Sequence, residues 1–377
     1  MRRFLLLLST IFFLYASWTV IEKKIADTKY EAAIETLKTE LDDIKNSPEM
    51  TGLIDKTIIT LSQIFSEEKV EEGVIKGDEE GSQLESPNLE APTNQFFSIF
   101  NVELGDTREE VEGIVGPAER VSYNEYGVEW YSYHENYQHF MMVAFNEEDR
   151  IIGLYTNQDL ITSKNGIELG TPKETVLKNL DEPMEYINKG LVNYQFPVDR
   201  DYDMFEFENS YVTIFYDQLQ DNTVTAIQLI DKELEQSRKD FYSTATEELK
   251  EGFEYQLFDL TNAARVKNGL NILQWDDQVK ITARKHSMDM AEKNFFDHIN
   301  LEGQSPFDRM LEDNIPYTVA GENLALGQFS SIFAHEGLMN SLGHRENILH
   351  PDFELLGVGV AFNEKSNPYY TENFYSK

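Results

Sequence analysis

The chain contains no cysteine. That excludes disulfides, thiolate nucleophiles and cysteine-ligated zinc or iron–sulfur centres in one step. Basic residues are scarce as well: 32 Lys and Arg stand against 68 Asp and Glu, a net charge of -36. A surface of that sign repels nucleic acid and anionic headgroups, so no nucleic-acid partner is expected. It suits solubility and a loose attraction for divalent cations. Apolar residues are not lacking. Hydrophobic content of 41%, with 12% aromatics, supplies real cores, and 377 residues accommodate two ordinary domains with attachments.

One long apolar run is present, Phe4 to Ile21, with Arg2-Arg3 before it and Glu22-Lys23-Lys24 after it. As a helix it spans roughly 27 Å, close to the hydrocarbon thickness of a bilayer. The basic residues on the short side hold that end in the cytoplasm and place the rest of the chain outside. Ala16-Ser17 is the small pair available for cleavage, and Leu14, Tyr15 and Trp18 around it make a poor site. Residues 1–21 therefore read as a signal anchor, a transmembrane helix at the membrane, with secretion the outcome if it is cleaved.

A stalk helix follows over 22–75. Tyr30, Ile34, Leu37, Leu41 and Ile44 form a two-heptad seam, a possible route to oligomers. Residues 76–95, acidic and nearly free of apolar side chains, read as a flexible linker. Residues 96–235 contain a weak internal repeat. Glu103-Leu104-Gly105-Asp106 matches Glu168-Leu169-Gly170-Thr171 at an offset of 65. Asp106 or Thr171 is expected to cap a short helix, and each copy then supplies a hairpin, 139–145 with 150–155 and 211–216 with 224–229. The segment has no phosphate loop, no close carboxylate pair and no metal spacing. His134 and His139 read as surface strand residues, and the whole as a duplicated helix and antiparallel-sheet module for recognition or spacing.

From residue 239 the pattern changes to helices followed by strands, and five of the seven histidines lie here. Phe253, Leu257, Leu260 and Ala264 mark one helix face, ending near Gly269. Asp276 caps a second helix with Val279, Ala283, His286 and Met290 inward, which makes His286 a core histidine. Ser330 starts another, and two terminal strands close the chain.

Three polar residues stand in distinctive surroundings: His298 after Phe296-Asp297, Glu322 in Gly321-Glu322-Asn323, and His344 in Ser341-Leu342-Gly343-His344-Arg345-Glu346-Asn347. Two imidazoles and a carboxylate form a metal site, an acid–base pair or a structural hydrogen-bond knot. His335-Glu336 fails as a zinc-protease motif, because Met339 stands where the second histidine is required. Ser341 and His344 lack the nucleophile elbow and oxyanion loop of a serine hydrolase.

Six ordered blocks, from Leu260-Thr261-Asn262-Ala263-Ala264-Arg265 to Gly357-Val358-Gly359-Val360, resemble the CAP superfamily (cysteine-rich secretory proteins, antigen 5 and pathogenesis-related 1) in its cysteine-free bacterial form. The repeat is similar to the CAP-associated module that precedes such domains. The resemblance implies an α+β protein whose residues 239–377 form an α-β-α sandwich with an open cleft. It also implies that His298, His344 and Glu322 gather in that cleft beside Asn323. The second acid of the family falls on Ser341, with Glu336 five residues earlier as the substitute to test. His298 and His344 are then possible ligands for zinc or another divalent cation, weakly held and released on protonation. The expected function is a membrane-tethered extracytoplasmic binding or cell-envelope protein whose cleft takes a lipid, protein or other envelope component. The rival is a metal-dependent hydrolase of peptide, peptidoglycan or ester bonds.

Overall fold

The computed structural model describes residues 84–207 and 209–377. The expected anchor, the stalk and the start of the linker lie outside them. Among the described residues no helix is long and apolar enough to cross a membrane. Residues 84–95 carry no helix or strand, yet they differ from the flexible linker expected there. The Glu103 carboxylate accepts from the backbone N–H of Thr93 and Asn94 at 2.7 and 2.9 Å and from that of Gln95. Leu84 N–H donates to Gln138 Oε1. The segment is a strap on the module's surface.

The duplication is visible in the backbone. Copy one gives α1 (Arg108–Val115) and the strands β2 (Arg120–Tyr123), β3 (Glu129–Glu135), β4 (Gln138–Phe145) and β5 (Ile151–Thr156). Copy two gives α2 (Lys173–Asn179), β9 (Tyr202–Glu206), β10 (Ser210–Asp217) and β11 (Thr223–Asp231). They merge into one seven-stranded sheet in the order β2-β3-β4-β5-β11-β10-β9, antiparallel throughout, with β5 paired to β11 at the seam between copies. Short strands β1 (Phe97–Ile99) and β6 (Ile161–Ser163) pair beside it, as do β7 (Tyr186–Lys189) and β8 (Val192–Gln195).

The helix caps sit one residue from where the repeat suggested. Thr107 caps α1 in a capping box with Glu110, and Pro172 precedes α2 without a side-chain cap. Asp106 and Thr171 instead close the preceding turn, accepting from Glu103 N–H and Glu168 N–H at 2.7 and 3.0 Å. Gly105 and Gly170 in those turns both have positive φ, which glycine adopts without strain.

The C-terminal part contains α4 (Glu247–Lys267), α5 (Asp277–Lys293), α6 (Pro306–Glu312), α7 (Ser331–Met339) and α8 (Leu342–Ile348), after a short α3 (Lys232–Ser237). Its sheet runs β12-β14-β15-β13, from β12 (Gln274–Trp275), β14 (Leu355–Phe362), β15 (Pro368–Ser376) and β13 (Val319–Leu326). The terminal strands pair antiparallel as expected. Gly357 and Gly359 let α5 lie directly on β14, since a Cβ there would meet the α5 backbone at 2.3 and 2.1 Å. Val358 and Val360 point the other way, into the core shared with α4.

The two sheets share one core. On β4, Met141, Val143 and Phe145 pack towards α1 and α2, while Phe140, Met142 and Ala144 join Leu249, Phe253 and Leu257 of α4. A strand covered on both faces loses its alternation, which is why His139-Phe140-Met141-Met142-Val143-Ala144-Phe145 is nearly all apolar. Helix α4 lies between the sheets and is buried almost all round. Its polar side chains are paired accordingly. Asp259 accepts from Arg120 Nε at 3.0 Å and Tyr137 Oη at 2.9 Å, and Gln256 donates to Tyr123 O. The module is therefore part of the C-terminal domain's packing, not a detached spacer.

Candidate functional site

His298 lies in the loop between α5 and α6. Asn294 ends α5 in the left-handed conformation, and the chain then turns outward. Two buried side chains fix the loop. His286 Nε2–H donates to Asp297 O at 3.0 Å, and Arg309 Nη1 donates to His298 O at 2.9 Å. His286 is thus the core histidine expected, buried, with its pKa lowered chiefly by that burial. The His298 side chain itself is 48% exposed.

The Gly321-Glu322-Asn323 motif is accounted for residue by residue. Gly321 sits where a Cβ would come within 2.9 Å of Asn347 Oδ1 and the Phe353 ring, so glycine lets α8 approach the strand. Glu322 and Asn323 are neighbours on edge strand β13 and face opposite sides. Glu322 is buried. Its Oε1 accepts from His298 Nδ1–H at 2.9 Å and its Oε2 from Arg309 Nη2 at 2.6 Å. A carboxylate paired with a guanidinium only accepts, so His298 donates through Nδ1 and its Nε2 is the ring nitrogen turned away from Glu322.

Asn323 faces the other layer. Its Nδ2 donates to His344 O at 3.1 Å and to Glu372 Oε2 at 3.0 Å, and its Oδ1 accepts from Asn347 Nδ2 at 2.9 Å. Thr261 Oγ1 also donates to Glu372, and burial pushes that carboxyl up to about 7. His344 is thereby held on α8 by its own carbonyl. Its Nδ1 is buried without a hydrogen-bond partner, and its pKa is lowered by burial and then by the charge of His298. Arg265 of α4 completes the support, donating Nη1 to Ile348 O and His350 O at 2.8 Å each.

The structure therefore bonds His298 to Glu322 and holds the His344 backbone on Asn323, with the two imidazoles close enough to act on each other electrostatically. It does not bring Glu336 to them. That carboxylate accepts from Tyr155 Oη of the module at 2.6 Å and is fully buried, its pKa pushed up to about 7 by desolvation. The charges around it are Lys267, Asp201 and Asp217. Ser341 begins α8 without a side-chain cap bond. Neither position returns the second acid. His134 accepts from Tyr137 N–H and stacks on its ring at 4.1 Å, and burial lowers it to about 4.

Among the described residues no three His, Asp or Glu side chains are grouped to hold a metal ion. Both oxygens of Glu322 are engaged, and the Arg309 cation is bonded to the oxygen that a metal ion would otherwise take. The set fits two nitrogen ligands at most and not a three-ligand catalytic centre.

Arg309, Glu372 and Asn347 were not singled out from the sequence. Arg309 follows a readable helix start, Ser305-Pro306 with Asp308 completing a capping box. Glu372 belongs to the run Thr371-Glu372-Asn373, polar residues in the middle of a strand otherwise fit for a core.

Residues 104–241 match the family described as CAP-associated N-terminal, and residues 258–374 match the cysteine-rich secretory protein family, CAP. The uncharacterized membrane protein YlbC of Bacillus subtilis is 26% identical over 305 residues, 76% of this chain and 85% of that protein. The uncharacterized protein YkwD of the same organism is 43% identical over 125 residues, 33% of this chain; the match spans 48% of that relative's length. An extracellular SCP-domain protein of Bacillus anthracis superposes with a TM-score of 0.62 at 24% identity, over 79% of this chain and 99% of its own. A cysteine-rich secretory protein of Staphylococcus aureus gives 0.56 at 17% identity, over 76% and 95%. At these identities the solved structures establish the fold. The C-terminal domain belongs to the CAP (cysteine-rich secretory protein) family, and the domain before it is the CAP-associated N-terminal domain.

Proposed function

We infer that the chain is a membrane-tethered, extracytoplasmic protein that binds a cell-envelope component in its CAP cleft without chemically altering it. The observation that carries this reading is the Arg309–Glu322–His298 chain. It presents a half-exposed imidazole oriented through Nδ1 by a buried carboxylate, and among the described residues no group of three His, Asp or Glu that could hold a metal ion is formed. The surroundings favour a ligand with apolar parts: Phe296, Ile299 and Leu301 on the His298 loop and Phe307 and Leu311 on α6 are all at least 41% exposed. Tethering is supported by the apolar run after Arg2-Arg3 and by the likeness to a Bacillus subtilis membrane protein. Any divalent cation would be held by His298 and His344 alone, weakly, and would be released by acid.

The rival reading is hydrolysis, favoured by the hydrogen bond between His298 and the Glu322 carboxylate, a pairing that suits a general base. Incubating the full chain with peptide, wall-fragment and ester substrates, with and without zinc, separates the two. No product is expected. Product formation that disappears in His298→Ala or His344→Ala would establish the hydrolase and overturn the binding reading.

A further inference from the structure

The corner between α7 and α8 is held from outside its own domain. Asn340 ends α7, and its Nδ2 donates to Asp201 Oδ2 and to Tyr216 O, both at 3.0 Å. Its Oδ1 accepts from Gln218 N–H at 2.7 Å. Five residues on, Arg345 Nη2 donates to Asp217 Oδ1 at 2.8 Å, with both side chains 13% exposed. Asp201, Tyr216, Asp217 and Gln218 all belong to the CAP-associated domain, at the ends of β9 and β10. The next turn of α7 is tied the same way, Glu336 to Tyr155, while Lys267 Nζ at the end of α4 donates to Thr225 O. The bonds reach the residues immediately before α8 and the residue immediately after His344.

We propose that the β10–β11 turn of the CAP-associated domain is a positioning element of the cleft: Asp217 and Gln218, acting through Arg345 and Asn340, hold α8 so that His344 stands beside His298 and Glu322. The physical reason is the length of α8. Seven residues form barely two turns, too short to be stable alone, so its orientation is set by what grips its ends. Asn323 and Arg265 grip it from inside the CAP domain, and the module grips the N-terminal end. A charge-assisted bond between two side chains only 13% exposed, Arg345 to Asp217, is strong enough for that role. In this chain the corner that would carry a second cleft acid is given over to docking. For its functional consequence the proposal rests on the cleft reading above, but its test uses no ligand.

The test is amide hydrogen exchange across α8 in the full chain, with Asp217→Ala and the milder Asp217→Asn, together with the side-chain NMR signals of His344. Exchange over 342–348 should accelerate about tenfold in Asp217→Ala, while α5 is unchanged. The His344 signals should shift or broaden while those of His286 stay. The exchanged pair Asp217→Arg with Arg345→Asp should restore both readouts, and Asp149→Ala, which removes a surface pair with Arg108, should leave them alone. Unchanged α8 exchange in Asp217→Ala overturns the proposal. So does a loss spread evenly over the domain that the exchanged pair fails to restore. A failure of the binding reading would leave these results as they are.

Discussion

At Arg309 three acceptors converge: His298 O, Gln304 O and Glu322 Oε2. The arginine fixes both the backbone of the His298 loop and, through Glu322, the ring of His298. Its side chain is 7% exposed and that of Glu322 1%. Truncating one member of a buried pair leaves the other charge without a partner. Arg309→Ala is expected to destabilise the protein by about 3–5 kcal/mol, against less than ~1 kcal/mol for the half-exposed His298→Ala, in denaturant titrations of both. Equal effects would show that the arginine is not the support. Glu372 makes a pH prediction. Burial raises its carboxyl from 4.5 to about 7 in the folded state. A group raised on folding stabilises most below its unfolded pKa, and the contribution is lost as the pH rises through the folded one. Wild-type stability should therefore fall between pH 4.5 and 7, by roughly 1–3 kcal/mol more than in Glu372→Gln. Parallel curves from unfolding at pH 5, 6, 7 and 8 would contradict this.

Elements were legible where a cap, a turn or an apolar periodicity marks them locally. The α4 and α5 stripes, the caps at Asp276 and Ser330 and the hairpins β4–β5 and β10–β11 all stand where the periodicity put them. The motifs around His298 and Glu322 point to two residues that do hydrogen-bond each other. What escaped was whatever depends on a neighbour distant in sequence. The apolar run in β4 signals a strand covered on both faces, but nothing local says that α4 is the cover. Gly252 carries no motif, yet a Cβ there would meet Tyr123 O at 1.9 Å, because α4 and β2 touch backbone to backbone. Glu336 has the right charge and a nearby position, and its partner 181 residues away decides where it points. Gly252→Ala tests this contact: at least ~2 kcal/mol of stability should be lost, although alanine favours the helix, and a neutral or stabilising result in thermal melts would deny it.

For the whole molecule, the shared core has a consequence for folding. Trp130, Phe140, Tyr155 and Phe215 of the module pack in one cluster with Leu257, Leu338 and Val358 of the CAP domain. Asp259, buried in α4, takes its cation from Arg120 in β2. Removing the module would strand that charge and expose the apolar side of α4 and α7. Scanning calorimetry of the full chain should accordingly show residues 84–377 unfolding in one transition, and two resolved transitions would mean that the domains are independent. Binding experiments then belong on the full chain and not on residues 239–377 alone.

The account turns on the cleft at His298, Glu322 and His344, and histidine-labelled NMR of the full chain addresses it most directly. Lipid vesicles, peptidoglycan fragments and peptides are titrated in turn, and the chemical identity of each is checked afterwards. The expected result is that one class shifts the His298 and His344 signals together, leaves His134 and His139 unmoved and is recovered intact. Shifts confined to the module's histidines, or recovery of the class in cleaved form, would contradict it.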